Sequence, residues 1–195
     1  MRSSQPPVGV ILAGGLGRRL GGAKATAQLH GRPLICYPLG VLGSALADLA
    51  IVAKRDTELP SHPGVAVWIE PTTPRHPLVG IVHALGLADG RGVLVCAADM
   101  PFVTAELVTR IATTDPEEAP AVVPICDGEL QPLLALYLPS AAAALGRGAL
   151  DATRPLREEV AGLRPRLLEI ADRDAFFNVN TPDDLRRAEA ILEPL

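Results

Sequence analysis

Seven short, nearly continuous apolar runs constrain this chain more than any other feature: residues 8–13, 49–53, 65–69, 93–97, 121–125, 133–138 and 167–170. A strand with one solvated face alternates apolar and polar side chains. Continuous Val, Ile and Leu runs belong instead to strands covered on both faces, as in a mostly parallel sheet. Between the runs lie segments of helical length at 33–47, 78–88, 104–113, 139–145, 153–161 and 181–192. Strand–helix alternation through the first 125 residues predicts an α/β fold, a three-layer, doubly wound, mostly parallel sheet. The stretch 127–170 is less regular and predicts an antiparallel edge or a subdomain. No internal repeat or linker interrupts the 195 residues, so one domain over 1–195 is expected.

Composition narrows the partners. With 48% apolar and 21% charged residues the chain can bury a core and is not of the disordered class. Eighteen Lys and Arg against 22 Asp and Glu leave a net charge of -4, which argues against a general nucleic-acid binder, because such affinity rests on excess cationic contacts. Cys36, Cys96 and Cys126 lie far apart without a CxxC pair, so neither a disulfide framework nor a zinc site is expected. The polar leader runs straight into a short apolar strand, and no run approaches the roughly 18 apolar residues of a membrane span. A cytoplasmic protein with no membrane partner is expected.

The chemistry is concentrated just after the first run. Five glycines (Gly14, Gly15, Gly17, Gly21, Gly22) fall within nine residues, together with Arg18, Arg19 and Lys24. Glycines let backbone N–H groups converge on an anion, and the cations neutralise a polyphosphate. At the carboxyl end of a first strand, such a loop borders the ligand crevice of an open α/β sheet. Two familiar motifs fail at defined positions. A Walker A loop requires lysine where Ala23 stands, with Ser or Thr directly after it, and Lys24 comes one place late. A GxGxxG loop requires glycine in place of Leu20, and no acid follows the second strand near Ala53.

The segment does fit the pattern LAGGxxxRxGxxKA, from Leu12 to Ala25. It closely resembles the signature loop of the sugar-nucleotide-type nucleotidyltransferases, and in particular of the molybdenum cofactor guanylyltransferases. The adjacent Gly14 and Gly15 favour the guanine-using branch, since cytidylyltransferase relatives usually read LAAG there. Further matches follow in order: His30–Leu34 (HGRPL), His76–Ile81 (HPLVGI, with His76 for a glycine), the strand ending Cys-Ala-Ala-Asp99-Met-Pro101, and Phe177–Leu185 (FNVNTPDDL). Asp127–Pro132 (DGELQP) resembles the family's region near the acceptor. The likeness spans residues 8 to about 192.

This resemblance implies a nucleotide-diphospho-sugar-transferase-like fold and transfer of GMP from GTP to the terminal phosphate of molybdopterin or molybdenum cofactor, with pyrophosphate released. It implies catalytic roles for Arg19, Lys24 and Asp99. Nucleotide binding would fall to Leu12, Ala13, Gly14, Gly15, Gly17, Lys24, Glu70, Gly80 and Asp99. Mg²⁺ would be held by Asp99, at the end of a buried strand, where one carboxylate plus phosphate oxygens suffices. Asn178 and Asn180 alternate along an extended stretch and so face opposite ways; Asn180 is the preferred second metal ligand, and the other would cap backbone groups. Other enzymes of the cofactor pathway are conceivable partners. The family's acid before the loop lysine is Ala23 here, its asparagine after the second strand is Lys54, and its aspartate after the third is Pro71, beside Glu70. The last two positions help recognise base and ribose, which leaves a CTP-using or other phosphorylated-acceptor relative as the alternative. A catalytically silent nucleotide-binding scaffold and a P-loop GTPase are weaker alternatives, opposed by the intact Lys24 and Asp99 and by the displaced lysine. Arg147, Arg154, Arg157, Arg164 and Arg166 form a second cationic group, read either as solvated helix faces or as a contact for the pterin phosphate or a partner. His30, His62, His76 and His83 show no ligand spacing and receive no catalytic role.

Overall fold

In the central strands, successive side chains point into two different cores, and this is why their runs are continuous rather than alternating. The structure, a computed structural model, describes residues 5–15 and 24–192, with Lys24 and Asp151 described in their backbone alone. The elements are β1 (Val8–Leu12), β2 (Gln28–Leu29), β3 (Arg32–Pro33), α1 (Cys36–Ala45), β4 (Leu49–Ala53), β5 (Ala66–Ile69), α2 (Pro77–Leu87), β6 (Val93–Ala97) and α3 (Ala105–Thr113). They continue through β7 (Ala121–Cys126), β8 (Glu129–Leu130), β9 (Leu134–Tyr137), α4 (Ala142–Asp151), α5 (Leu156–Gly162), β10 (Arg166–Glu169) and α6 (Pro182–Leu192).

The main sheet has the order β10-β7-β9-β6-β1-β4-β5, with β8 hairpinned onto β7. β1 runs parallel to both β4 and β6, and β4 runs parallel to β5. Ile11, Ile51 and Leu94 face one side, where they pack with Leu42 of α1 and Val108 and Ile111 of α3. Their neighbours Val10, Val52 and Val95 face the other side, against Leu78 and Ile81 of α2 and Leu145 of α4. Helices therefore cover both faces, as the runs predicted.

Two expectations change. The antiparallel strand β9 is not at an edge: it lies between β6 and β7 and pairs antiparallel with both. Its four residues are all buried, which an interior place requires. The edges are instead β5 and β10, where Val67, Ile69 and Leu167 are exposed despite their apolar runs. Helix α4 also extends to Asp151, through Gly146 and Gly148 that read as a stop. The short β2–β3 hairpin, too brief to leave a periodic signal, gathers a third cluster. Leu29 and Leu34 pack there with Val179 and Ala188, which seats α6. No helix among the described residues is long and apolar enough to cross a membrane.

The expected start of α6 is realised as a reciprocal cap. The Asp184 N–H donates to Thr181 Oγ1 at 3.1 Å, and the Thr181 N–H donates back to Asp184 Oδ2 at 3.0 Å. Burial acts to raise the Asp184 pKa, but hydrogen bonds from Asn180 and Thr181 outweigh it and hold the carboxyl below its ordinary value of 3.8.

Two outcomes follow from this packing. Ile111→Ala opens a fully buried site between α3 and the sheet, and urea unfolding should show a loss of about 2–5 kcal/mol. The Asp184 cap contributes stability above the ordinary carboxylate range and loses it as pH falls through the depressed native value. Asp184→Asn should therefore lower stability near neutral pH and flatten its decline on acidification, as read from unfolding midpoints across an acid series.

Candidate active site

Strand β1 is the switch point of the sheet. The chain leaves it toward β4 and β5 on one side and returns to β6 on the other, so the crevice opens at the carboxyl ends of these strands. Backbone hydrogen bonds carry the parallel register one residue past the strands. The Ala13 N–H donates to the Val52 carbonyl at 2.8 Å, the Ala98 N–H to Leu12 at 3.2 Å and the Glu70 N–H to Ala53 at 2.9 Å. The loop start, the acid after β5 and the acid after β6 are thereby fixed around one cavity of about 280 Å³. Leu12, Ala13, Gly14, Gly15, Glu70, Gly80 and Asp99 all line it. Gly17 and Arg19 lie outside the described residues, as does the Lys24 side chain; the Lys24 backbone opens a short 3-10 turn whose next residue, Ala25, is in the cavity wall.

Asp99 is 7% exposed and closes the β6 side. Its carbonyl accepts the Val179 N–H at 2.9 Å, which ties the FNVN segment to the crevice. That segment is not a strand. Val179 is buried, Asn178 Nδ2 donates to the Phe176 carbonyl at 2.8 Å, and the exposed Asn180 lies outside the cavity wall. Burial, reinforced by the Asp99 charge, pushes the Cys96 thiol up, so Cys96 is an inert core residue, as expected.

Opposite Asp99 stands a pair not foreseen as a unit. Lys54, after β4, and Glu70, after β5, are 2% and 6% exposed, and Lys54 Nζ lies 3.1 Å from Glu70 Oε1. The same ammonium donates to the Pro71 carbonyl at 2.6 Å. Glu70 Oε2 is buried without a hydrogen-bond partner. The carboxylate fits because two neighbours lack side chains: a Cβ on Gly14 would lie 2.1 Å from Oε1, and one on Gly80 would lie 3.1 Å from Oε2. The adjacent charges were legible only separately, Lys54 as a departure from a pattern and Glu70 as a nucleotide-binding candidate, since they stand 16 positions apart in sequence and parallel pairing joins them.

The α2 start supplies the third wall. His76 takes the N-cap, its Nδ1 accepting the Leu78 N–H at 3.2 Å, and Pro77 occupies the first turn. Both line the cavity with Arg75, whose guanidinium pairs with the exposed Asp56 at 2.9 Å. Arg75 was missed, since it lies outside every motif, and His76, read only as a substituted position of the HPLVGI segment, was given no role; the turn before α2 brings both in. Three members of the other arginine group form exposed ion pairs, Arg154 with Glu158 and Glu159, Arg157 with Glu129 and Arg166 with Glu117.

Among the described residues no group of three His, Cys, Asp or Glu side chains is gathered to hold a metal. The donors present are Asp99 and phosphate oxygens brought by a ligand, and this set suits Mg²⁺. Glu70 is engaged by Lys54 and is not part of it. Gly14→Ala would drive a methyl group into the Glu70 carboxylate. Denaturant melts should show a loss of about 1–3 kcal/mol, and a smaller one when the same change is made in Glu70→Ala.

Comparison with known proteins agrees with this geometry. Residues 9–166 match the family described as MobA-like NTP transferase domain. A molybdenum cofactor guanylyltransferase of Acidiphilium cryptum is 36% identical over 192 residues, with 93% of each chain covered. One from Cereibacter sphaeroides is 34% identical, covering 94% of this chain and 96% of its own. The crystal structure of molybdopterin-guanine dinucleotide biosynthesis protein A from Archaeoglobus fulgidus superposes with a TM-score of 0.74 at 30% identity, covering 94% of this chain and 97% of that one. A 2-C-methyl-D-erythritol 4-phosphate cytidylyltransferase from Thermus thermophilus, 21% identical with a TM-score of 0.70 over 95% of this chain and 98% of that one, shares the fold. With residues 9–166 matched to its model and relatives of 34–36% identity covering over nine-tenths of the chain, the chain belongs to the MobA-like NTP transferase family.

Proposed function

We propose that this protein is a molybdenum cofactor guanylyltransferase: it transfers GMP from GTP to the terminal phosphate of molybdopterin or its molybdenum-loaded form. The observation that carries this reading is the meeting of the glycine loop and Asp99 on one cavity, within a chain whose close relatives bear that name. An oxygen of the acceptor phosphate attacks the α-phosphorus of GTP, a new P–O bond forms, and the bond to the bridging oxygen breaks with release of pyrophosphate. The acceptor is already largely dianionic near neutral pH, with a second pKa near 6, so the reaction needs little general-base help. The barrier lies in bringing two polyanions together, and positioning with charge neutralisation lowers it.

The chain's own groups divide this work. Backbone N–H groups of Gly14, Gly15 and Gly17 cradle the phosphates, while Leu12 and the Ala13 N–H, held by the β4 ladder, fix where that cradle begins, and the α2 N-terminus adds a favourable dipole from the opposite wall. Arg19 and Lys24 stabilise negative charge on the phosphates. Asp99 would hold Mg²⁺, with Asn180 as the second candidate ligand, and the ion would supply neutralisation of phosphate charge there. Glu70 and Gly80 border the base-binding end.

Pyrophosphate release from GTP, dependent on added molybdopterin, tests the reading directly; orthophosphate release, or equal turnover of CTP, would defeat it. Asp99→Ala should lose about 10²–10³ in turnover while still binding GTP. Single Arg→Ala changes at Arg154 and Arg157 test the second cationic group: an unchanged apparent affinity for molybdopterin excludes a role for either in acceptor binding.

A further inference from the structure

The two edges of the main sheet differ in how open they stand to another strand. At one edge, β10 carries charge at Arg166 and Glu169, and the outward Glu169 carbonyl accepts from the Arg110 guanidinium at 3.1 Å. Charge and a covered backbone are what keep a sheet edge from pairing. At the other edge, β5 has neither: its residues are Ala66, Val67, Trp68 and Ile69. The Glu70 N–H reaches the Ala53 carbonyl, and backbone groups alternate along a strand, so those of Ala66 and Trp68 also face β4. Those of Val67 and Ile69 face outward, and no described residue hydrogen-bonds them. The Val67 and Ile69 side chains lie on the α1 side of the sheet, like their register partners Ile51 and Ala53, and are 48% and 47% exposed.

We propose that β5 is the interface of a two-fold dimer of this chain, in which the edge strands of two copies pair antiparallel about Trp68. In that register Val67 of one copy lies opposite Ile69 of the second, and each such pair exchanges both of its backbone hydrogen bonds. Every outward donor and acceptor of β5 then meets a group of opposite polarity. Moving the axis to Val67 would set the Ile69 carbonyl against the Val65 N–H, which already donates to the His62 carbonyl at 3.2 Å. Pro71 has no N–H and ends the ladder. On the α1 side the exposed Val67 and Ile69 side chains become apolar cross-strand pairs, and on the other side Trp68 meets its own copy. A charged strand would oppose like to like across its own axis, and β5 bears no charge. The carboxyl ends of the two β5 strands point apart, so the two cavities open in opposite directions and neither is covered.

A four-residue edge makes a small contact, so the dimer is reversible, with a Kd on the order of 10 µM. Sedimentation velocity of the full chain from about 1 to 200 µM should follow monomer to dimer across that value. Emission from Trp68, the chain's single tryptophan, should change with the same midpoint. Val67→Lys places a charge in the apolar pair, and Val67→Pro removes only an outward N–H; each should weaken association by about tenfold or more. Both leave the β4 bonds in place, and the proline variant carries the test if the lysine variant does not fold. Leu167→Lys, on the β10 edge, should leave association unchanged. A wild-type chain that is monomeric throughout, or one that grows past the dimer, overturns the proposal. So does association that survives both Val67 changes or is abolished by Leu167→Lys. None of these outcomes touches guanylyl transfer, which each copy performs in its own cavity.

Discussion

Parallel hydrogen bonding in register across β6, β1, β4 and β5 is the constraint on which the site depends. Each strand ends within a residue of its neighbour, and the amides of Ala13, Glu70 and Ala98 continue the ladder beyond the last regular pair. The polar residue that follows each strand is therefore delivered to the same rim: the glycine loop from β1, Lys54 from β4, Glu70 from β5 and Asp99 from β6. A one-residue slip of any strand would turn that residue into a face of the sheet. The slip is resisted on both faces at once, because Ile11 and Ile51 belong to one core and Val10 and Val52 to the other.

Within that frame, chemistry is separated by distance from the switch point. Asp99 sits on β6, next to β1, and shares its wall with the phosphate loop. Lys54 and Glu70 sit one and two strands further on, against the start of the loop at Gly14. The same ladder thus sets two charged ends of one cavity without any dedicated element for either. The α2 helix closes the Glu70 end because Gly80 and Gly14 let backbones approach the carboxylate more nearly than any side chain would allow.

Much of this was legible in the residues. Continuous runs gave the layers, and the loop, the Cys-Ala-Ala-Asp99 strand and the FNVN segment were readable as one constellation because each lies beside a strong local signal. What was not legible depended on partners distant in sequence. β9 reads like any buried strand, and nothing local says that it enters antiparallel between β6 and β7. The runs ending at Ile69 and in β10 have the composition of interior strands, yet they are edges. Asn178 donates to a backbone carbonyl, as one of the two asparagines was expected to, but Asn180 also donates to one, in a stretch without regular secondary structure. Lys54 departed from the pattern while Glu70 was read as a nucleotide-binding residue beside the departure at Pro71, and only the pairing across β4 and β5 shows that Lys54 and Glu70 compensate each other.

That compensation bears on why a buried ion pair stands where it does. Desolvating two charges costs several kcal/mol per ion, and a well-packed apolar pair of similar volume is often as stable or more so. Stability is thus a weak reason for Lys54 and Glu70, particularly with Oε2 left unsatisfied. The pair also restricts its surroundings, since Gly14 cannot carry a side chain while Glu70 holds its position. The first glycine of the loop, Gly14, is then explained by the acid two strands away rather than by phosphate contact alone. The loop start and the Lys54–Glu70 pair are one packing unit, and a side chain at Gly14 requires a change at Glu70 with it.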